Sequence, residues 1–413
     1  MRILFVSQVY VPDMAANAIL CGSLSRYLVG QGHRVSVVAG PPMDTRDTDS
    51  RAAQLPPGLS IHRSTGNYTT RRGIVNRLLS FTRLYWGFAL HVVRHRDYDV
   101  IVVLTTPPMI YLVGLIAKFL IGAKIVLWSM DCYPEVAVEA GVLRRNGAVH
   151  KVLAAVNRRF LRRVDAVVAL DEDMAGRLGG AGAERVRVIH NWESDEAYRA
   201  VTPEERSTIR RQLGVRDTDI VVMYLGNMGM VHEFDTVLAA IERLGRSAPM
   251  LKFVFVGGGV MRPRIEEACR DSPLSRVIFR DFIPKARTRI ALGACDLGLL
   301  TIRREMVGLV TPSKVYGYLA MGVPLLYVGP HESEVGRIIG KAGCGKVFEN
   351  EQVAALSEYL LELPGRQGDL RTEGLRGRAH FVEHFEAKTS FAKFDSLFAE
   401  LRRPHARPSS RSE

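Results

Sequence analysis

Tyr98-Asp99-Val100-Ile101-Val102-Val103-Leu104 is the stretch on which the fold turns. After Asp99 every residue is apolar and four in a row are β-branched, so the polar/apolar alternation of a half-exposed strand is missing. A strand with no polar face is buried on both sides, the condition of a parallel sheet covered by helices. Thr105-Thr106-Pro107-Pro108 ends it. Parallel neighbours need long crossovers, usually helical, and the flanking sequence supplies them. Upstream, Ile3–Val6 reads as a strand. Asn17 to Gln31 reads as a helix, with its stripe at Ile19, Leu20, Leu24, Tyr27 and Leu28 and its stop at Gly32. Arg34–Ala39 is the next strand; Ala123–Trp128, Ala166–Ala169 and Val186–Ile189 continue the series downstream.

The second half restarts the pattern. Ile220–Leu225 is followed by a loop, Gly226–Val231, and by a helix with its stripe at Phe234, Val237, Leu238, Ile241 and Leu244. Phe253–Val256, Val277–Phe279, Leu297–Leu300 and Leu325–Val328 are its further strands. Two βα series predict an α/β protein with two doubly wound parallel sheets. The domains are expected at residues 1–195 and 196–384, with a linker near Glu193–Pro203. A helix over 385–401 is expected to cross back to the first domain, ahead of a disordered tail, 402–413.

At 413 residues, 47% apolar and 24% charged, the composition is that of a globular protein and excludes collagen, coiled coil and wholesale disorder. The five cysteines, Cys21, Cys132, Cys269, Cys295 and Cys344, form no C-x-x-C pair, which argues against zinc and a disulfide framework and for a reducing cytoplasm. The N-terminal apolar run is too short for a signal peptide. The longest apolar stretch, Met109 to Gly122, contains Lys118 and falls short of the ~20 residues of a spanning helix; it is expected to be a buried helix. The net charge of +13 is unevenly spread. Arg51 to Arg96 holds eight arginines and no acid, and Gly141 to Val164 holds seven basic residues and no acid. Such windows attract anionic lipid or phosphate. No nucleic-acid-binding motif accompanies them. A cytoplasmic protein resting on the inner face of the cell membrane is expected, through arginines that include Arg71, Arg72 and Arg77.

In open α/β sheets ligands bind beyond the carboxyl ends of the strands. The loop after the first strand has no G-x-G-x-x-G, which counts against a dinucleotide-binding first domain. The second half offers Gly226-Asn227-Met228-Gly229, Gly257-Gly258-Gly259 and Thr311-Pro312-Ser313-Lys314, each between a strand and a helix. Ser313 is placed to cap the helix that follows, and helix N–H groups with the Lys314 charge make a diphosphate site.

These residues resemble glycosyltransferase family four, the retaining GT-B transferases that use nucleotide sugars. The resemblance runs through Gly32-His33-Arg34-Val35, Thr106-Pro107-Pro108-Met109, Asp131-Cys132-Tyr133-Pro134-Glu135, Val188-Ile189-His190-Asn191-Trp192, Tyr224 to Gly229, and Pro312-Ser313-Lys314-Val315-Tyr316-Gly317-Tyr318 to Pro324. The asparagine–tryptophan and Pro-Ser-Lys variants look like the branch that builds bacterial surface polysaccharides. The resemblance implies two Rossmann-like domains facing a cleft, with no metal or other cofactor. It places the donor on the second domain, at Gly226, Asn227, Gly229, Gly257, Gly258, Ile283, Pro312, Ser313, Lys314, Tyr316 and Glu334. It places a glycan or polyprenyl-diphosphate-linked acceptor on the first, at Tyr10, Asn17, Pro108 and Asp131, with Asp131 and Lys314 catalytic.

The chain also departs from the family. The paired glutamates of the E-x7-E motif fall at Leu309 and Gly317, and the diphosphate-holding Arg and Lys fall at Asn227 and His232. Lys314 is then the one strong cation of the motif. A nucleotide-sugar epimerase of the same fold and a non-catalytic nucleotide-sugar binder are the rival readings; transfer or hydrolysis by purified protein separates them from a transferase.

Overall fold

The computed structural model describes residues 1–13, 15–42, 55–64, 74–107, 110–194, 198–270, 276–283 and 285–402. Pro108, the linker residues 195–197, the arginines Arg51, Arg71 and Arg72, and the tail beyond 402 lie outside these. Two compact units emerge. The first comprises Met1–Glu135, Leu143–His190 and the chain from Ser390 onward; the second comprises Val136–Val142 and Asn191–Thr389.

The first unit is built on a seven-stranded parallel sheet: β1 (Arg2–Ser7), β2 (Arg34–Ala39), β3 (Leu59–Arg63), β4 (Val100–Leu104), β5 (Lys124–Trp128), β6 (Ala166–Ala169) and β7 (Val186–Val188). Their spatial order is β3-β2-β1-β4-β5-β6-β7. All five residues of β4 are buried, as a strand without a polar face requires. β3 escapes the sequence reading because its residues, Leu-Ser-Ile-His-Arg, lie in an arginine-rich window and form a short edge strand. The helix Ala387–Arg402 docks on this unit. Phe391 stacks on Tyr27 at 4.4 Å, Phe394 meets Trp128 edge-on at 5.1 Å, and the Tyr27 hydroxyl donates to Asp395 at 2.5 Å.

The stretch Met109 to Gly122 corrects the expectation of a buried helix. Its helix, Tyr111–Ile121, presents Val113, Gly114 and Ala117 to β4 and β5, while Leu112, Ile116, Phe119 and Leu120 are exposed. These four recur at helical spacing and so form one outward stripe. A run that is apolar all round carries no mark of which stripe faces out.

The second unit has a six-stranded parallel sheet: β8 (Ile220–Leu225), β9 (Leu251–Val256), β10 (Val277–Arg280), β11 (Leu297–Thr301), β12 (Leu325–Val328) and β13 (Gly345–Phe348). The order is β10-β9-β8-β11-β12-β13, so the winding reverses between β8 and β11. There the ladder is short. β8 pairs with β9 over six residues but with β11 only at Val222 and Met223. Beyond Met223 the Tyr318 hydroxyl replaces it, donating to Met223 O at 2.7 Å and accepting from Leu225 N at 3.1 Å. Gly298 makes this arrangement possible: a Cβ there would lie 2.5 Å from the Tyr318 ring.

Truncation of Phe394, which is fully buried beside Trp128, should cost about 3–5 kcal/mol. Denaturant unfolding of Phe394→Ala should show that loss. An unchanged midpoint would show that the last helix adds nothing to the first unit.

Candidate functional site

At the β8/β11 reversal Lys314 meets the loop that carries Gly226 and Asn227. Lys314 opens the helix Lys314–Ala320, and Tyr318 lies one turn on, on the same face. The contacts of Tyr318 with β8 therefore carry Lys314 over the end of that strand. The ammonium donates to the Tyr224 hydroxyl at 2.9 Å and to His232 Nε2 at 3.1 Å. The Tyr224 hydroxyl in turn donates to Asn227 O at 2.7 Å. Thr301 O, at the end of β11, takes the Nδ1–H of His232 at 2.8 Å, which leaves Nε2 with its lone pair toward the lysine.

The electrostatics of this cluster are those of a cation awaiting an anion. The lysine keeps partial contact with solvent, yet its polar neighbours in the recess are neutral. Desolvation lowers its pKa to about 7. Burial and the nearby ammonium push His232 down to about 3, so it is a neutral acceptor and not a second cation. An anion brought to Lys314 would supply the missing counter-charge.

The glycines do something other than bind through their N–H groups. Gly226 N donates to Val256 O and Gly257 N to Arg280 O, so both donors are spent within the unit. Their value is closeness. A Cβ on Gly226 would lie 2.5 Å from Lys314 Cε, and one on Gly257 would lie 2.2 Å from Gly226 O. Both adopt positive φ, which other residues rarely adopt. Gly258 and Gly229 complete the two turns, tied by Met228 N donating to Gly258 O at 2.7 Å. Asn227 is exposed at the rim, and Pro312 and Ser313 are half-buried.

Ser313 does not cap the helix: its backbone is already helical and its side chain accepts no capping bond. Tyr316 also departs from its expected donor role. It is buried edge-on to Phe385 at 5.1 Å, so it belongs to the core. Ile283 follows β10, and Glu334 begins the helix after β12, paired with Arg337 at 2.8 Å; both stand on the same sheet edge as Lys314. The two positions where the resemblance puts the acids of the E-x7-E motif are apolar or close-packed here. Leu309 is buried apolar surface, and the Cβ direction of Gly317 is filled by Leu292 and by the Tyr198 hydroxyl, at 3.5 and 3.6 Å. These are ordinary van der Waals distances, so a Cβ at 317 fits and a longer side chain would extend toward Leu292 and Tyr198.

In the first unit the expected acceptor residues separate. Tyr10 is fully buried, and burial pushes its hydroxyl up to about 12, so it is a core residue and not an acceptor contact. Asn17 is half-buried and accepts from Ala18 N at 3.1 Å. Asp131 follows β5. Its backbone N and that of Met130 share the Thr105 hydroxyl, at 3.2 and 2.9 Å. Its carboxyl has no hydrogen-bond partner among the described residues, and burial pushes its pKa up to about 6. No group of three or more His, Cys, Asp or Glu among the described residues is arranged to hold a metal ion.

Residues 20–192 match the glycosyl transferase 4-like domain, and residues 205–371 match the glycosyl transferases group 1 domain. The chain belongs to glycosyltransferase family four. It is 26% identical to the probable glycosyltransferase WbjE of Pseudomonas aeruginosa, over 83% of this chain and 86% of that protein. It is 24% identical to the putative colanic acid biosynthesis glycosyl transferase WcaI of Escherichia coli K12, over 86% and 90%. Among solved structures it resembles HepE of Anabaena in complex with UDP-glucose, with a TM-score of 0.74 and 17% identity over 97% of this chain and all of that one. Its fold is GT-B.

The family motif singles out Lys314; its contacts with Tyr224 and His232, and the contact of His232 with Thr301 O, come from the fold. Tyr224 falls within the motif that carries the resemblance and His232 stands where the resemblance puts a cation, but nothing in the sequence shows that both meet the Lys314 ammonium. Tyr318→Phe tests the frame beneath them. Leaving Leu225 N and Met223 O without their hydroxyl should cost about 1–3 kcal/mol of stability. Unfolding midpoints read the cost; no change would remove Tyr318 from its wedging role.

Proposed function

We propose that this glycosyltransferase moves a sugar, with retention of anomeric configuration, from a nucleotide-diphosphate sugar to a lipid-linked or glycan acceptor. The setting is bacterial surface-polysaccharide assembly at the inner face of the cell membrane. The observation that carries the donor half is Lys314: a cation with neutral partners, at the strand reversal of an open parallel sheet. WbjE and WcaI, named for glycosyl transfer and, for WcaI, colanic acid biosynthesis, support the setting, and the UDP-glucose held by HepE supports a nucleotide-sugar donor.

In this reading the anomeric C–O bond to the diphosphate breaks as a new bond forms from the acceptor oxygen. The electron pair stays with the diphosphate, and the acceptor proton passes to a phosphate oxygen on the same face. Lys314 stabilises the charge that develops on the leaving group, and the fixed dipoles of Tyr224 and His232 hold the ammonium in place without neutralising it. No metal ion is assigned a part. The first unit takes the acceptor, with Asp131 as a carboxylate orienting its hydroxyl.

Two outcomes follow for the donor. Lys314→Ala should weaken nucleoside diphosphate binding by about 10- to 150-fold, the 1.5–3 kcal/mol of a hydrogen bond to a charged group, and leave nucleoside binding unchanged. Calorimetry with both ligands checks this; equal losses would sink the assignment. The second outcome concerns pH. A nucleotide sugar carries a fixed negative charge and binds the protonated lysine, so binding raises the lysine pKa. Affinity should therefore be highest below about 7 and fall as pH rises through that value. Flat affinity from about pH 6 to 9 in the wild type, a range that spans the lowered lysine pKa, would show that Lys314 does not meet the phosphates.

A further inference from the structure

Three helices of the first unit share one surface. Tyr111–Ile121 packs against both Ile74–Arg94 and Ala148–Leu161. The undersides are committed to the core: Leu84, Phe88 and Val92 from one helix, Val113 and Ala117 from the next, Phe160 and Leu161 from the third. The outer sides are unlike an ordinary solvated face. Phe119 is 89% exposed and Trp86 73%; Leu112, Ile116, Leu120, Val149 and Val152 are exposed with them. None of the three helices contains an Asp or Glu, in a chain with 43 acids.

Beside this apolar surface runs a strongly basic one. An open groove of about 690 Å³ follows the helix Ala148–Leu161 and is lined by Lys151, Arg158, Arg159, Arg162 and Arg163. None of these five has a carboxylate partner among the described residues. Exposed aliphatic and aromatic residues next to unpaired arginines, with acids excluded, match an anionic bilayer: the apolar side chains enter the acyl boundary and the arginines meet the headgroup phosphates.

We infer that this three-helix layer is the surface by which the protein lies on an anionic membrane, with Leu112, Ile116, Phe119 and Leu120 as the inserted stripe and the groove of Arg158, Arg159, Arg162 and Arg163 as the headgroup site. The inference rests on the proposed function only for the reason the protein visits a bilayer, a lipid-linked acceptor. The headgroup site falls within the basic window Gly141–Val164 that the sequence marks out, and the inserted stripe lies on a helix that the sequence placed inside. No helix among the described residues is long and apolar enough to cross a membrane, so the contact is one of a single leaflet.

The test is co-sedimentation of the full chain with vesicles of phosphatidylcholine alone or mixed with phosphatidylglycerol, at low and high salt. Three proteins are compared: wild type, Phe119→Ser with Leu120→Ser, and Arg158→Ser with Arg159→Ser and Arg162→Ser. All five positions are exposed, and circular dichroism verifies folding. Wild type should bind the anionic vesicles. The triple variant should lose on the order of a hundredfold in partition, roughly fivefold per arginine. High salt should have the same effect, as the Debye length falls from ~10 Å at 0.1 M to ~3 Å at 1 M. The serine pair should weaken binding while keeping its salt dependence. Trp86 gives an independent signal, because Trp128 and Trp192 are buried: vesicles should shift its emission to the blue. Absence of wild-type binding, binding unaffected in both variants, or retention on DNA without retention on vesicles would overturn the inference. Nucleoside diphosphate affinity, measured on the same three proteins without vesicles, should be equal. Its absence in the wild type would sink the donor reading and leave the membrane result standing.

Discussion

Much of the second unit hangs on the separation of β8 from β11 after two paired residues. Parallel strands that part would leave backbone groups of β8 without partners inside the protein, a cost of about 1–3 kcal/mol for each. The Tyr318 hydroxyl serves both Met223 O and Leu225 N, and Gly298 leaves room for its ring. The same helix face then delivers Lys314 to the opening. Without the hydroxyl the gap has no lining, and without the glycine the tyrosine does not fit.

The second constraint is charge. A lysine with neutral partners in a recess is an unfavourable arrangement for an isolated protein. The structure keeps it through acceptors that hold the ammonium without cancelling it: Tyr224, polarised by Asn227 O, and His232, its tautomer fixed by Thr301 O. A carboxylate in the same place would stabilise the protein more and compete with a phosphate. At the two positions where the resemblance puts the family's cations stand Asn227 and His232, and His232 accepts from the Lys314 ammonium.

The first unit carries a different asymmetry. The helix layer that covers β4 and β5 is apolar on both sides of the helix Tyr111–Ile121, and the neighbouring helix Ala148–Leu161 adds unpaired arginines. Burial explains the inner stripe. Folding gains nothing from the outer one, which is why it calls for a partner.

The sequence by itself determined the two parallel sheets. Short, β-branched apolar runs such as Val100 to Val103, alternating with helical stripes, fit strands buried on both faces. It also brought Lys314 and the glycine turns to one sheet edge, because each follows a strand of the same series. It did not reveal the short strands β3 and β13, whose few apolar residues gain their pairing only from a neighbour already in place. Nor did it separate Tyr316 from Lys314, or Tyr10 from a surface contact. An aromatic residue with a polar tip serves core and site equally well, and which one depends on what packs against it. The inward and outward stripes of Tyr111–Ile121 were undecided for the same reason: both are apolar, and only the sheet beneath selects one. Side-chain pairing across long separations, Lys314 with Tyr224 and His232 above all, arises from where the strands part, and local sequence holds no record of that distance.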